Sequence, residues 1–266
     1  MAYLDDAPKD VLPIARVLRE FGQYRYDPAQ VFSDFIDYAV ACFLTTGDRS
    51  VAEQLRQTYG KEYPKFQQMF AAWITILHQQ FNRNKAWFDA LGMLYEYLGH
   101  NSKKSILGQF FTPPDLCDMM TALNSPAEKL TSRRVNDPAC GSGRTLLSFN
   151  AAHPGNYLFA EDKDQICAKI TAINFAVHGV QGQVTCMDSL SQEDWRLCYQ
   201  VNRYHRFGLP PIPHLESISR NQSWLWREQI SDNGGEPTME RPDAPVTDVV
   251  AEAKPKMNKN GQLLIF

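Results

Sequence analysis

The fold is decided by residues 133–162, "RRVNDPACGSGRTLLSFNAAHPGNYLFAED". A short strand, "RRVND", runs into a loop holding Gly141 and Gly143. "RTLLSFNAAH" then has helical character, and "NYLFAED" reads as a second strand. Glycines at this point let the backbone approach a ligand without Cβ clashes. The helix behind them offers free N–H groups to a negative group. A plain tight turn explains the two glycines equally well. The stretch has neither the full dinucleotide fingerprint nor the lysine of a phosphate-binding loop.

Downstream, Ile166, Ile170, Ile173 and Val177 mark a helix ending near Gly179, and "QVTCMD" is a third strand. This β-α-β-α-β order predicts an α/β domain with a parallel, doubly wound sheet. An acid closes each strand. Asp137 ends the first, where its carboxylate can meet an amine. Asp162 ends the second, twenty-five residues later, where such folds place an acid on ribose hydroxyls. Glu161 is the second candidate for that task. Asp188 ends the third and can accept from an adenine amino group. An amine, a ribose and an adenine without phosphates describe S-adenosylmethionine better than NAD.

Upstream, residues 1–104 read as a helical domain. Asp27-Pro28 predicts an N-cap followed by proline at the first helical position. Phe32, Phe35, Ile36, Ala39 and Phe43 share one helical face. Phe66, Met69, Phe70, Trp73, Ile74, Leu77 and Phe81 form a second stripe, and Trp87, Leu91, Leu94, Tyr95 and Leu98 a third, closed by Gly99. These stripes are expected to be core. Residues 105–231 are the expected Rossmann-like α/β domain. Its last part is less patterned: "SISRNQSWLWREQI" suits a short helix, and Arg196, Tyr199, Arg203, Tyr204, His205 and Arg206 form a basic-aromatic run able to touch DNA or to be a solvated face.

The bulk numbers fit a soluble, cytoplasmic globular protein. The 266 residues carry a net charge of −3 and are 44% hydrophobic. A global basic field is therefore excluded as the basis of nucleic-acid binding. No apolar run approaches the roughly 18 residues of a membrane span, and "MAYLDDAPKD" is not a signal peptide. The six scattered cysteines lack zinc-ligand spacing and read as reduced thiols, with no metal expected.

Several stretches jointly resemble the amino-group DNA methyltransferases, most closely the adenine-N6 enzymes. "DPACGSGR" (137–144) resembles their S-adenosylmethionine loop, with Asp137, Pro138, Ala139, Cys140, Gly141 and Gly143 at its motif positions. "GQFFTPPDLCDMM" (108–120) resembles the motif preceding that loop, and "AEDKDQICAKITAINFAVHG" (160–179) the acidic ribose motif with its helix. "LYEYLG" (94–99) resembles the end of the helical domain in the modification subunits of type I restriction systems. The likeness runs from about Leu94 to Leu190. It implies that Thr112 and nearby backbone touch the methionine part of the cofactor and that Phe111 helps wall the pocket. Independently, Thr112 suits an N-cap, Pro113 a first helical position, and Asp115 the first turn.

The resemblance also implies a later Asn/Asp-Pro-Pro-aromatic motif. In it the polar side chain and first proline carbonyl accept from the amino group of a flipped adenine, and the aromatic stacks on the base. This sequence contains no such motif. Leu209, Pro210, Pro211 and Ile212 occupy the expected region without an acceptor or a stacking ring. Asn202 and Tyr204 are a substitute lacking the prolines. The segment is a decayed motif, an unrelated turn, or one half of a site completed by another chain. Two functions stay open: an adenine-N6 DNA methyltransferase of the type I modification-subunit kind, and a cofactor-binding module without catalysis. DNA and a specificity or second modification subunit are the expected partners.

Residues 232–260 hold four prolines, ten charged residues and no aromatic, the composition of a disordered linker. "GQLLIF" (261–266) reads either as a short final β-strand or as a docking peptide: Gln262, Leu263, Ile265 and Phe266 resemble the pentapeptide by which bacterial proteins dock on the replicative sliding clamp.

Overall fold

A computed structural model describes residues 6–22, 25–101, 111–126, 128–191, 194–205 and 212–225. Among the described residues five α-helices come first: α1 (Leu12–Arg19), α2 (Pro28–Phe43), α3 (Ser50–Tyr59), α4 (Pro64–Asn82) and α5 (Ala90–Asn101). The Asp27 side chain caps α2 by accepting from the Ala29 N–H, and Pro28 opens the helix, as the sequence predicts. The expected stripes are mostly interior. Phe32, Phe35, Ile36, Phe66, Met69 and Trp73 are fully buried, but Ile74 and Phe81 lie on the surface and Ile76 takes the inward place. Gly99 does not close the third stripe: α5 runs through it to Asn101.

α6 (Pro114–Asn124) follows, then β1 (Arg134–Asp137), α7 (Arg144–Ala152), β2 (Tyr157–Asp162), α8 (Gln165–Val177) and β3 (Gln181–Cys186). α6 starts one residue later than expected, with Pro113 rather than Thr112 at the N-cap position. β1 pairs parallel with β2, and β2 parallel with β3. The core is continuous. Apolar side chains of the early helices join those of α8 and the strands in one cluster, with α2 packed along α8.

The sheet departs from the expectation beyond β3. The less patterned segment contains β4 (Leu197–Val201), and the first part of the stretch expected to be helical over 217–230 is instead the end of β5 (Leu215–Ser217) and a 3-10 turn at Arg220–Gln222; Trp224 and Leu225 are helical, and 226–230 lie outside the described residues. Both new strands are antiparallel to their neighbours, so the five-stranded sheet, in order β1-β2-β3-β4-β5, is mixed rather than parallel. The cause is connection length. Ten residues, 187–196, separate β3 from β4, too few for the helical crossover that parallel pairing requires. Among the described residues no helix is long and apolar enough to cross a membrane.

Candidate cofactor site

A cavity of about 270 Å³ opens at the C-terminal ends of β1 and β2. Its wall includes Phe111, Thr112, Ala139, Cys140, Gly141 and Asp162. The chain turns sharply beyond β1, and Gly141 and Gly143 both adopt positive φ, +56° and +86°. Side chains rarely tolerate that conformation. Space adds a second reason for glycine: a Cβ on Gly141 would stand 2.7 Å from the Phe111 ring, and one on Gly143 2.9 Å from Thr171 Cγ2. Gly143 caps α7, so the first turn of that helix faces the cavity through Arg144 and Thr145.

Asp162 ties the two βα loops together. Its Oδ2 accepts from the Gly141 N–H and its Oδ1 from the Asp164 N–H, both at 2.8 Å. A carboxylate has about four acceptor positions, so two remain for a ligand. Burial raises the Asp162 pKa, and the two N–H bonds oppose that rise. Asp164 in turn caps α8 by accepting from the Ile166 and Cys167 N–H groups. Burial also pushes the Cys140 and Cys167 thiols up, with neighbouring acids adding to it. Both are held as neutral thiols, poor nucleophiles.

The other expected residues surround the cavity without forming its wall. Asp137 Oδ1 accepts from the Ala139 N–H and shapes the turn; burial raises its pKa. The Pro138 carbonyl accepts from Ser189 Oγ, joining the β1 and β3 loops. Asp188 pairs with Lys163 at 2.8 Å and accepts from the Leu190 and Ser191 N–H groups; the lysine holds its pKa down. Glu161 is buried and accepts from Asn136 Nδ2, outside the cavity.

Sequence reasoning missed a buried ionic group beneath the loop. Arg144 is 4% exposed. Its Nε donates to Asp89 Oδ2 and its Nη2 to Glu96 Oε2, both at 2.7 Å. Desolvation opposes its charge, but the two carboxylates outweigh that and keep the guanidinium protonated. Asp89 also accepts from Ser142 Oγ, Asn174 Nδ2 and the Gly92 N–H. A buried ion pair needs such extra hydrogen bonds to offset its desolvation. Arg144 following the loop glycine was the available signal, but its partners lie 48 and 55 residues away.

Of the expected catalytic segment only Ile212 is described. Leu209, Pro210 and Pro211 lie outside the described residues, as do Arg206 and the clamp-like Gln262, Leu263, Ile265 and Phe266. Ile212 is 83% exposed and precedes β5, whose Leu215 pairs with Val201, itself opposite Gly182 at the start of β3. Ile212 therefore sits at the strand end opposite the cavity. Asn202 is no substitute acceptor. It is fully buried, and its Nδ2 donates to the carbonyls of Phe175, Ala176 and Val180 at the end of α8. The basic-aromatic run is divided as well. Arg196 bonds the Lys163 carbonyl at the cavity end, Tyr199 is core, and Arg203, Tyr204 and His205 are at the far end.

Residues 86–206 match the model of the family described as N-6 DNA Methylase. The chain is 28% identical over 145 residues to the "Type II methyltransferase M.XamI" of Xanthomonas campestris pv. amaranthicola. That alignment takes in 53% of this chain and 24% of the relative, so the chain matches about a quarter of the relative's length. No solved structure matches it. The matched segment spans α5, α6, the glycine loop and β1 to β4, and over it the chain is similar to the N6-adenine DNA methyltransferases.

Proposed function

From this likeness, we propose that the chain binds S-adenosylmethionine in the cavity and serves the methylation of adenine N6 in DNA, in the manner of a type I modification subunit. The observation that carries the reading is the junction of Gly141 and Asp162. There a glycine loop, a strand-end acid and the Phe111 ring meet around one cavity. The donor set fits the cofactor. The two unengaged acceptor positions of Asp162 suit a ribose diol. Thr112 and the α7 start suit an amino acid end. When bound, S-adenosylmethionine supplies a methyl group on a positively charged sulfur. The residues of this chain bind, orient and partly desolvate it. Asp188 is assigned to the adenine amino group only if its Oδ2 exchanges Lys163 for the ligand.

The acceptor for the target base is proposed to come from another polypeptide. Two observations favour this. Among the described residues the outer edge of β1 pairs with no strand. On α6, Leu116, Met119, Met120 and Leu123 form an exposed apolar stripe at helical spacing, with Leu123 76% exposed. A domain completed beside β1 would cover both. The clamp-like peptide at 262–266 is proposed to recruit the protein to newly replicated DNA, a reading that rests on sequence alone.

Calorimetry with S-adenosylmethionine tests the core of the proposal. Binding near the micromolar range, roughly −8 kcal/mol, is expected; no binding by the folded protein overturns it. Labelled methyl transfer to DNA is expected only when proteins encoded beside this one are added. Fast transfer by the isolated chain would overturn the need for a second polypeptide. A peptide of residues 257–266 is expected to bind purified clamp, and to lose binding with Phe266→Ala.

A further inference from the structure

We propose that Glu96, on α5 of the helical region, is a positioning residue of the cofactor pocket, acting by fixing Phe111. The proposal rests on the reading of this cavity as a cofactor site. Two donors converge on Glu96 from different parts of the chain. The Phe111 N–H reaches Oε1 at 2.9 Å, and Arg144 Nη2 reaches Oε2 at 2.7 Å. Arg144 belongs to the first turn of α7 and extends its Nη1 toward the Thr112 carbonyl at 3.4 Å. Glu96 therefore joins the backbone at which the cavity wall begins to the helix behind the glycine loop.

The ring of Phe111 is held on three sides by residues of three elements. Tyr95 stacks on it with centroids 5.7 Å apart and planes 16° from parallel. The Arg144 guanidinium lies 5.2 Å from its centroid. Gly141 presses against its edge, close enough that a Cβ there would collide with it. Tyr95 is itself anchored, its hydroxyl donating to Asp164 Oδ2 at 2.7 Å. Neighbouring residues 95 and 96 thus fix the same aromatic side chain, one through its face and one through its backbone. A carboxylate is the side chain that suits position 96, because both groups facing it are donors. Glutamine would turn an NH₂ group toward one of them.

A double-substitution cycle tests this. Glu96→Ala is expected to weaken S-adenosylmethionine binding about tenfold, and Glu96→Gln by less. In a Phe111→Ala background the same Glu96→Ala change is expected to alter affinity less than about twofold, because the ring it positions is gone. A purely structural brace would give equal losses in both backgrounds, which would overturn the proposal, as would full affinity in Glu96→Ala. Hydrogen exchange of the Phe111 amide, measured without cofactor, separates this claim from the functional reading. Exchange at least tenfold faster in Glu96→Ala supports the positioning role even if the wild type binds no S-adenosylmethionine. Unchanged exchange refutes it whatever the binding result.

Discussion

The two ends of the parallel strands use the same kind of side chain for opposite purposes. At the C-terminal end, Asp162 accepts two backbone N–H groups and retains acceptor positions beside a cavity. At the other end, about 17 Å away by strand rise, Asn202 is sealed in. Its Nδ2 faces three carbonyls at the end of α8, and its Oδ1 accepts from the His214 N–H. The backbone of Asn202 is left-handed, with φ +48°, a conformation that asparagine tolerates better than most residues. One polar group leaves bonding capacity facing a cavity; the other is turned wholly inward on the backbone around it. Unused capacity next to a void is what the proposed binding end requires, and burial among backbone carbonyls is what a structural side chain requires.

The strongest test of that contrast is Asn202→Ala. It strips the bonds from buried carbonyls and puts alanine at positive φ. A loss of about 3 kcal/mol of stability is expected in urea denaturation. Cofactor affinity of the protein that remains folded should stay within about twofold. A large affinity loss would mean that the two ends are coupled and the division of labour is wrong.

The converse change is Asp162→Ala. Affinity for S-adenosylmethionine should fall by about 1.5–3 kcal/mol, as for hydrogen bonds to a charged group. Stability should fall less than in Asn202→Ala, since the Gly141 and Asp164 N–H groups lie beside an open cavity. Equal affinity for both variants and the wild type would place the ligand elsewhere.

A smaller effect concerns the far side of the buried network. His178 Nε2 accepts from the Phe88 N–H, while Nδ1 faces the Asn174 carbonyl, so the ring is a neutral tautomer. Burial holds its pKa below the usual histidine value. The unfolded chain therefore binds this proton more readily than the folded one. Stability contributed by the neutral ring is present above about pH 6.5 and declines as pH falls below it. The slope from this one group is at most about 1.4 kcal/mol per pH unit. His178→Gln should flatten the pH dependence of stability between pH 6.5 and 5, and leave cofactor affinity at pH 8 unchanged. A slope identical to that of the wild type would remove His178 as its source.

The sequence by itself determined the elements whose signals are local. The Asp27-Pro28 cap, the stripe of α2, and the β1–loop–α7–β2–α8–β3 order all follow from residue types within a turn or a strand of one another, and Gly141, Gly143 and Asp162 were legible for the same reason. Tertiary structure decided the rest. Whether Asn202 is an acceptor for a substrate or for its own helix depends on α8 ending beside it, 22 to 27 residues earlier in the chain. That Glu161 bonds Asn136 while its neighbour Asp162 reaches the glycine loop depends on the alternation of side chains across a strand, read together with what covers each face of the sheet. β4 turns back because its connection is short, not because of anything in its own residues. The Asp89–Arg144–Glu96 group could not be read at all: a buried charge is tolerated only where distant partners converge on it, and no local pattern records which acids will be there.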